Sequence, residues 1–305
     1  MSVPAAYIGV ILIWSTTPLG IKWSSEGGIL FAATARMVIG AALCVMIFFV
    51  LRKALPRDRI AMRAYFAASI GAYGSMMCIY WGAQHVASGL ISVLFGLAPI
   101  SAGLFARIWL GDRQFTPLRA IGTLISVGGL AVIFADALHG AELLSVAAIL
   151  CGVLLYSLSA VAVKRTGSTL SALSLATGSL LLVVPMYAVT FWIVGAAWPQ
   201  ALSGRASISI IYLGVMGSVV GFMLYFYVLK RIDMGRLAMI NIITPVAALA
   251  VGALFNDEHV NRSIWIGTFI IMGGLAVFEW EALRRTFGFA TLTPTLERNN
   301  SPPGQ

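Results

Sequence analysis

From residue 3 to residue 283 the chain is a succession of apolar runs, each parted from the next by a short polar gap. About twenty apolar residues in a helix cross a bilayer. On that measure ten spans are expected, near residues 3–21, 29–51, 64–83, 87–106, 118–135, 143–163, 171–194, 207–229, 236–255 and 263–283. Lipid offers the backbone no hydrogen bonds, so a spanning chain must be helical or closed into a barrel. Barrel strands would alternate in hydrophobicity over about ten residues, a pattern these runs lack. The expected fold class is therefore an all-α integral membrane protein. Composition agrees, with 60% hydrophobic and 10% charged residues, against about 45–50% and about 25% in soluble domains. The first run has neither a basic stretch before it nor a small-residue cleavage site, so it is expected to remain as a helix.

The net charge is +9, and on a soluble surface such an excess would point to nucleic acid. Here Lys and Arg lie scattered in the gaps between apolar runs, which does not build a clustered basic face. No nucleic-acid partner is expected; the lipid bilayer is. Ten spans place both termini on one side. The gaps and tail of that side hold sixteen Lys and Arg, against Lys22, Arg205 and Arg262 on the other. Basic residues are retained on the cytoplasmic side, so both termini are expected there.

The two halves of the chain resemble each other. Gly89, Pro99 and Asp112 stand 146 residues before Gly235, Pro245 and Glu258. "GGLAVIF" at 128–134 answers "GGLAVF" at 273–278, "LIWS" at 12–15 answers "LLYS" at 154–157, and Lys22 answers Lys164. The expected organisation is a duplication, with a first five-helix repeat at 1–137, a second at 138–283, and a disordered polar tail at 284–305. Five is odd, so the second copy crosses the membrane in the opposite sense. Inverted repeats are a transporter architecture, with the substrate site near the midplane where the copies meet.

Pro99 and Pro245 fall near the middle of the fourth and ninth spans. Each removes one helical hydrogen bond, leaving the carbonyls of Phe95 and Asn241 short of a partner. Such groups are tolerated in a membrane only against protein or a water-lined cavity. The matched pair reads as a cavity or hinge feature, with Gly89 and Gly235 at the starts of the same helices.

"IWSTTPLGIK" in the first span, Gly89 and "LAPI" in the fourth, "GDR" after it, "GGLAVIFAD" in the fifth and "ITPVAALAVGALFNDE" in the ninth resemble the drug/metabolite transporter superfamily, specifically its EamA-type exporters. The resemblance covers about residues 5–283 and is greatest to the bacterial aromatic amino-acid exporters. It implies a secondary carrier of the inner membrane that exports amino acids, aromatic and large apolar ones favoured, by alternating access. Carriers of other metabolites, nucleotide sugars or drugs are the alternative within transport. A membrane-embedded lipid-modifying enzyme is the alternative outside it, and "NDEH" at 256–259 offers its one cluster of titratable groups, more simply a short solvated loop.

An amino acid needs a few polar groups among apolar and aromatic walls. Aromatic residues at suitable depth are Trp14, Tyr80, Trp81, Tyr156, Tyr225 and Tyr227, whose faces can stack on a ring or hold an ammonium. The resemblance favours Tyr80 and Tyr156, and Asn241 joins the candidates through its place before Pro245. Arg36, two turns into the second span, pairs with a substrate carboxylate or with the end of a neighbouring helix, or snorkels to the interface. Lys164 closes the sixth span as a substrate contact by resemblance, or as an interface anchor.

All four lysines follow a residue other than glycine, so there is no phosphate-binding Gly-Lys loop. No Asp or Glu stands at the middle of a span, which leaves facilitated diffusion as open as proton antiport, with His85 a loop candidate for a relay. Neither a cofactor nor a metal site nor enzymatic chemistry is expected. Gly217 and Gly221 suggest close helix packing, either within a monomer or at a homodimer interface.

Overall fold

A computed structural model describes residues 2–52, 54–111, 116–136 and 141–286. The motif residues Asp112 and Arg113, the junction at 137/138 and the tail beyond 286 lie outside the described residues.

The described chain is helical throughout. Helix α1 is Val3–Ser24 and α2 is Ile29–Val50. Helix α3 occupies 59–82 as Arg59–Ser69, a π turn Ile70–Ser75 and Met76–Gly82. Helix α4 (Ser88–Leu110) comes in two pieces, Ser88–Phe95 and Ala98–Leu110. Then follow α5 (Pro117–Asp136), α6 (Ala141–Arg165), α7 (Ala172–Ile193) and α8 (Gly204–Leu229, with a π turn at Leu213–Val220). Helix α9 is Met234–Asn256, α10 is Arg262–Phe278, and the short α11 is Trp280–Thr286.

Among the described residues, eight of these helices are long and apolar enough to cross a membrane, or nine if α10 and α11, bent by 71°, form one span. The third expected span, at 64–83, is helical but does not reach that measure. Its tyrosines, glycines and serines make it less apolar, because α3 is largely covered by protein. Tyr65, Tyr80, Ser69 and Ser75 are buried, and Gly71, Gly74 and Gly82 press against α6 at Ser159, Leu155 and Ser145.

Side-chain caps start three helices. Asp58 accepts from the N–H groups of Ile60 and Ala61, Ser171 from Ser174 and Ser203 from Ala206, supplying acceptors that a first turn lacks. The end of α9 is different. Asp257 takes a left-handed conformation (φ 46°) and the N–H of Glu258 returns to the carbonyl of Gly252 at 3.4 Å. Asp is among the few residues other than Gly that enter this region. The turn folds Glu258 back over the helix end.

Small residues set the closest helix approach. A Cβ at Gly122 would lie 2.6 Å from the Gly274 oxygen, and one at Gly129 would lie 2.7 Å from the Gly267 oxygen. Helices α5 and α10 therefore cross antiparallel, backbone to backbone, and Ser126 donates across the seam to the Ile271 carbonyl at 3.2 Å. Membrane helices associate through such close packing, since lipid removes the hydrophobic drive between them. Elsewhere α1 packs on α9 and α8, α6 on α3 and α4, and α2 on α7.

Candidate functional site

The helices that carry Pro99 and Pro245 are not equivalent. In α4 the helix breaks at Gly96 and Leu97, and Pro99 stands in the first turn of the second piece. There its missing N–H has no helical acceptor to lose. In α9 the helix stays continuous through Pro245, while the Thr244 hydroxyl bonds the Ile240 carbonyl at 2.6 Å. The expectation of two like mid-helix prolines is corrected: α4 is interrupted at Gly96 and Leu97, whereas α9 runs unbroken through its proline.

Between the α4 break and Pro245 lies a cavity of about 390 Å³. Trp14, Pro18 and Ile21 line it from α1, Phe95, Gly96 and Pro99 from α4, Tyr156 and Ser157 from α6, and Tyr225 and Phe226 from α8. Asn241, Thr244 and Pro245 come from α9, and Arg36 and Met76 from α2 and α3. The walls are aromatic: Trp14 and Tyr225 rings are 5.0 Å apart, and Tyr156 meets Phe95 edge-on at 5.6 Å.

Of the sequence candidates, Trp14, Tyr156, Tyr225, Asn241 and Arg36 therefore meet at one cavity. Tyr80, Trp81 and Lys164 do not line it. The Tyr80 ring is buried behind the wall, Trp81 is 42% exposed, and Lys164 is exposed at the end of α6. One face of α3 turns inward and the next residue outward, so adjacent aromatics part company. Gly89 and Gly235 also lie away from the cavity, where each allows a backbone contact, Gly89 with Leu249 and Gly235 with the Ala282 carbonyl. Gly217 lines the cavity and Gly221 packs on Ile13, so both serve contacts within the chain.

Arg36 does not snorkel. It is 5% exposed, with Nε donating to Ser218 at 3.0 Å and Nη1 directed at the Met76 sulfur at 3.9 Å.

Where the ends of α1, α4 and α9 come together stands a carboxylate that the sequence reading assigned to a solvated loop. The Glu258 side chain is only 5% exposed and sits 3.1 Å from Lys22 Nζ. Its other oxygen accepts from the Ser88 N–H at 2.7 Å and the Ser88 hydroxyl at 2.9 Å. Asn256 donates to it at 2.8 Å and accepts from the Trp23 indole N–H at 2.8 Å, while Lys22 also donates to the Val86 carbonyl at 2.9 Å. Helices α1, α4 and α9 are thereby tied at one end. A signal was available: Lys22 and Glu258 both belong to the matched motifs, but their mutual contact is tertiary. Toward the other end the helices part, the second piece of α4 packing on α6 and the start of α9 on α11.

The model of the EamA-like transporter family matches this chain twice, at residues 3–135 and 143–280. The chain belongs to the EamA-like transporter family. Its relatives include a probable terminal-alkyne amino-acid exporter of Streptantibioticus cattleyicolor, 23% identical over 93% of this chain and 94% of that protein. The uncharacterized transporter YoaV of Bacillus subtilis is 25% identical over 91% of this chain and 97% of its own length. A solved crystal structure superposes with a TM-score of 0.65 at 17% identity, covering 93% of this chain and 99% of that one, which shows a shared fold. The EamA-like transporter is thus a multi-pass membrane protein that carries small molecules, and the cavity is the candidate place for them.

Proposed function

We propose that this EamA-like transporter is a secondary carrier that exports amino acids, aromatic and other large apolar ones favoured, by alternating access around the α4/α9 cavity. The observation that carries the reading is the cavity itself: aromatic walls, a few polar groups, and lining residues from both halves of the chain, as a small amphipathic solute requires. The probable amino-acid exporter among its relatives supports the substrate class.

Ten spans in two inverted repeats, 1–137 and 138–283, complete the proposal. The double match of the family model supports the duplication. The antiparallel α5/α10 seam supports the inversion, since Gly122 and Gly129 meet Gly274 and Gly267 in reciprocal register. The sidedness of Lys and Arg puts both termini in the cytoplasm of a bacterial-type cell and the Glu258 closure on the outer face of the inner membrane. In that reading the Glu258 ties hold the outer side closed, and export proceeds when they part and the opposite ends of α4 and α9 close. Pro245 and the α4 break supply the bending points.

The test is efflux from proteoliposomes loaded with labelled amino acids, with and without a pH gradient. Efflux above empty liposomes, led by aromatic species, supports the exporter. No efflux of any amino acid overturns it.

A further inference from the structure

Arg36 is the one charged residue among those lining the cavity. A guanidinium has five N–H donors in a rigid fork and cannot lose its charge. Here two acceptors are engaged, a serine hydroxyl and a thioether, the latter weak. Among the described residues no carboxylate lies within ion-pair distance of Arg36; Glu258 is held by Lys22, Glu26 by Arg205 and Asp233 by Arg236. Burying a charge without a counterion is costly, and in a membrane protein such a residue marks a binding site by default. Two polar groups of α3 behind the lining lack partners. Ser75 Oγ and Tyr80 OH are buried without hydrogen-bond partners, one beside the lining residue Met76 and the other beside the lining residue Ile79. Tyr187 lies within electrostatic reach of both Tyr80 and Arg36. The cavity lining therefore carries one fixed positive charge, and no lining side chain supplies a negative one.

We infer that the cavity recognises its substrate by the carboxylate, through Arg36, and leaves the amino nitrogen unread, so that its substrate class is the monocarboxylate with a large apolar or aromatic body. This rests on the proposed transport through the same cavity. A carboxylate at Arg36 gains charge-assisted, two-point hydrogen bonds. An ammonium in the same cavity finds aromatic faces, the Asn241 side chain and the hydroxyls of Thr17, Ser92, Ser157 and Thr244, all uncharged, and it is repelled by Arg36. Attraction to aromatic faces is weaker than an ion pair in the same surroundings. Removing or acylating the amine therefore costs the complex little, whereas removing the carboxylate leaves Arg36 without its counterion.

The experiment is competition against labelled phenylalanine in proteoliposomes of the full chain, using 3-phenylpropionate, N-acetylphenylalanine and phenethylamine. Both acids are expected to inhibit within about threefold of phenylalanine, and phenethylamine to be at least about thirtyfold weaker, the size of losing a charge-assisted contact. Arg36→Met should lose the preference for the acids while its melting temperature stays near that of the parent. The competitor panel on the unmodified protein stands whether or not that variant folds. Phenethylamine competing as well as the acids, or neither acid competing while phenylalanine moves, overturns the inference and leaves amino-acid export standing. Transport of 3-phenylpropionate without any amino acid supports the inference and overturns the amino-acid assignment. Movement of none of these solutes overturns both.

Discussion

Lys22 Nζ stands 3.1 Å from Glu258 Oε1, and the other oxygen of the same carboxylate accepts two hydrogen bonds from Ser88. One side chain thus joins the ends of three helices. Glu258→Ala removes the acceptor for all of these donors, at about 3–5 kcal/mol for breaking a buried pair. Lys22 is 29% exposed, so water replaces part of that loss. The expected outcome is freer opening at this end: a cysteine placed at Ile91 should be labelled by an impermeant reagent at least about tenfold faster than in the parent, as about 1.4 kcal/mol of shift predicts. Glu258→Gln keeps an acceptor for Ser88 and should show a smaller increase. Unchanged labelling in both variants would show that the carboxylate does not hold the end closed.

Trp14 and Tyr225 face each other at 5.0 Å on the cavity wall. Losing one ring of a stacked site removes about 0.5–1.5 kcal/mol beyond its area. Tyr225→Ala should raise the KM for phenylalanine by roughly threefold to tenfold and raise that for alanine less. Equal effects on both solutes in transport assays would place the ring outside substrate recognition.

Gly128 and Gly129 are neighbours with opposite surroundings. A Cβ at Gly129 meets the Gly267 oxygen and Ile271, whereas one at Gly128 meets nothing within 4 Å. Gly129→Ala is expected to cost about 1–3 kcal/mol by overpacking the α5/α10 seam. Gly128→Ala should be neutral or stabilising by up to about 1 kcal/mol from helix propensity. Melting in detergent distinguishes them, and a like response from both would rule out the seam as the cause.

Pro245 lies inside a continuous helix and Pro99 at the start of one. Pro245→Ala restores an N–H that can bond the Asn241 carbonyl, which stiffens α9. Its maximal transport rate should fall severalfold with little change in substrate protection of the fold. Pro99→Ala restores an N–H at a first turn, where no helical acceptor waits, so its effect should be smaller. Counterflow rates of the two variants decide the matter.

Helical class and nearly all helix positions were legible because lipid imposes a simple rule: about twenty apolar residues, with every backbone group satisfied internally. The third span departs from that rule in the structure because α3 is covered by protein, and a buried helix can carry tyrosine, serine and glycine without facing lipid. Trp14, Tyr156, Tyr225, Asn241 and Arg36, which share one cavity, were also within reach of sequence, since matched motifs and a charge within an apolar run single them out. Depth along a helix is a one-dimensional property. Azimuth is not, and this is why Tyr80 lies behind the wall and Trp81 faces outward. Nor does a sequence reveal that Glu258, in a loop rich in polar residues, is folded back onto Lys22 and Ser88. That contact depends on the left-handed turn at Asp257 and on the packing of α1 against α9, and only the assembled chain brings those three helix ends within hydrogen-bonding distance.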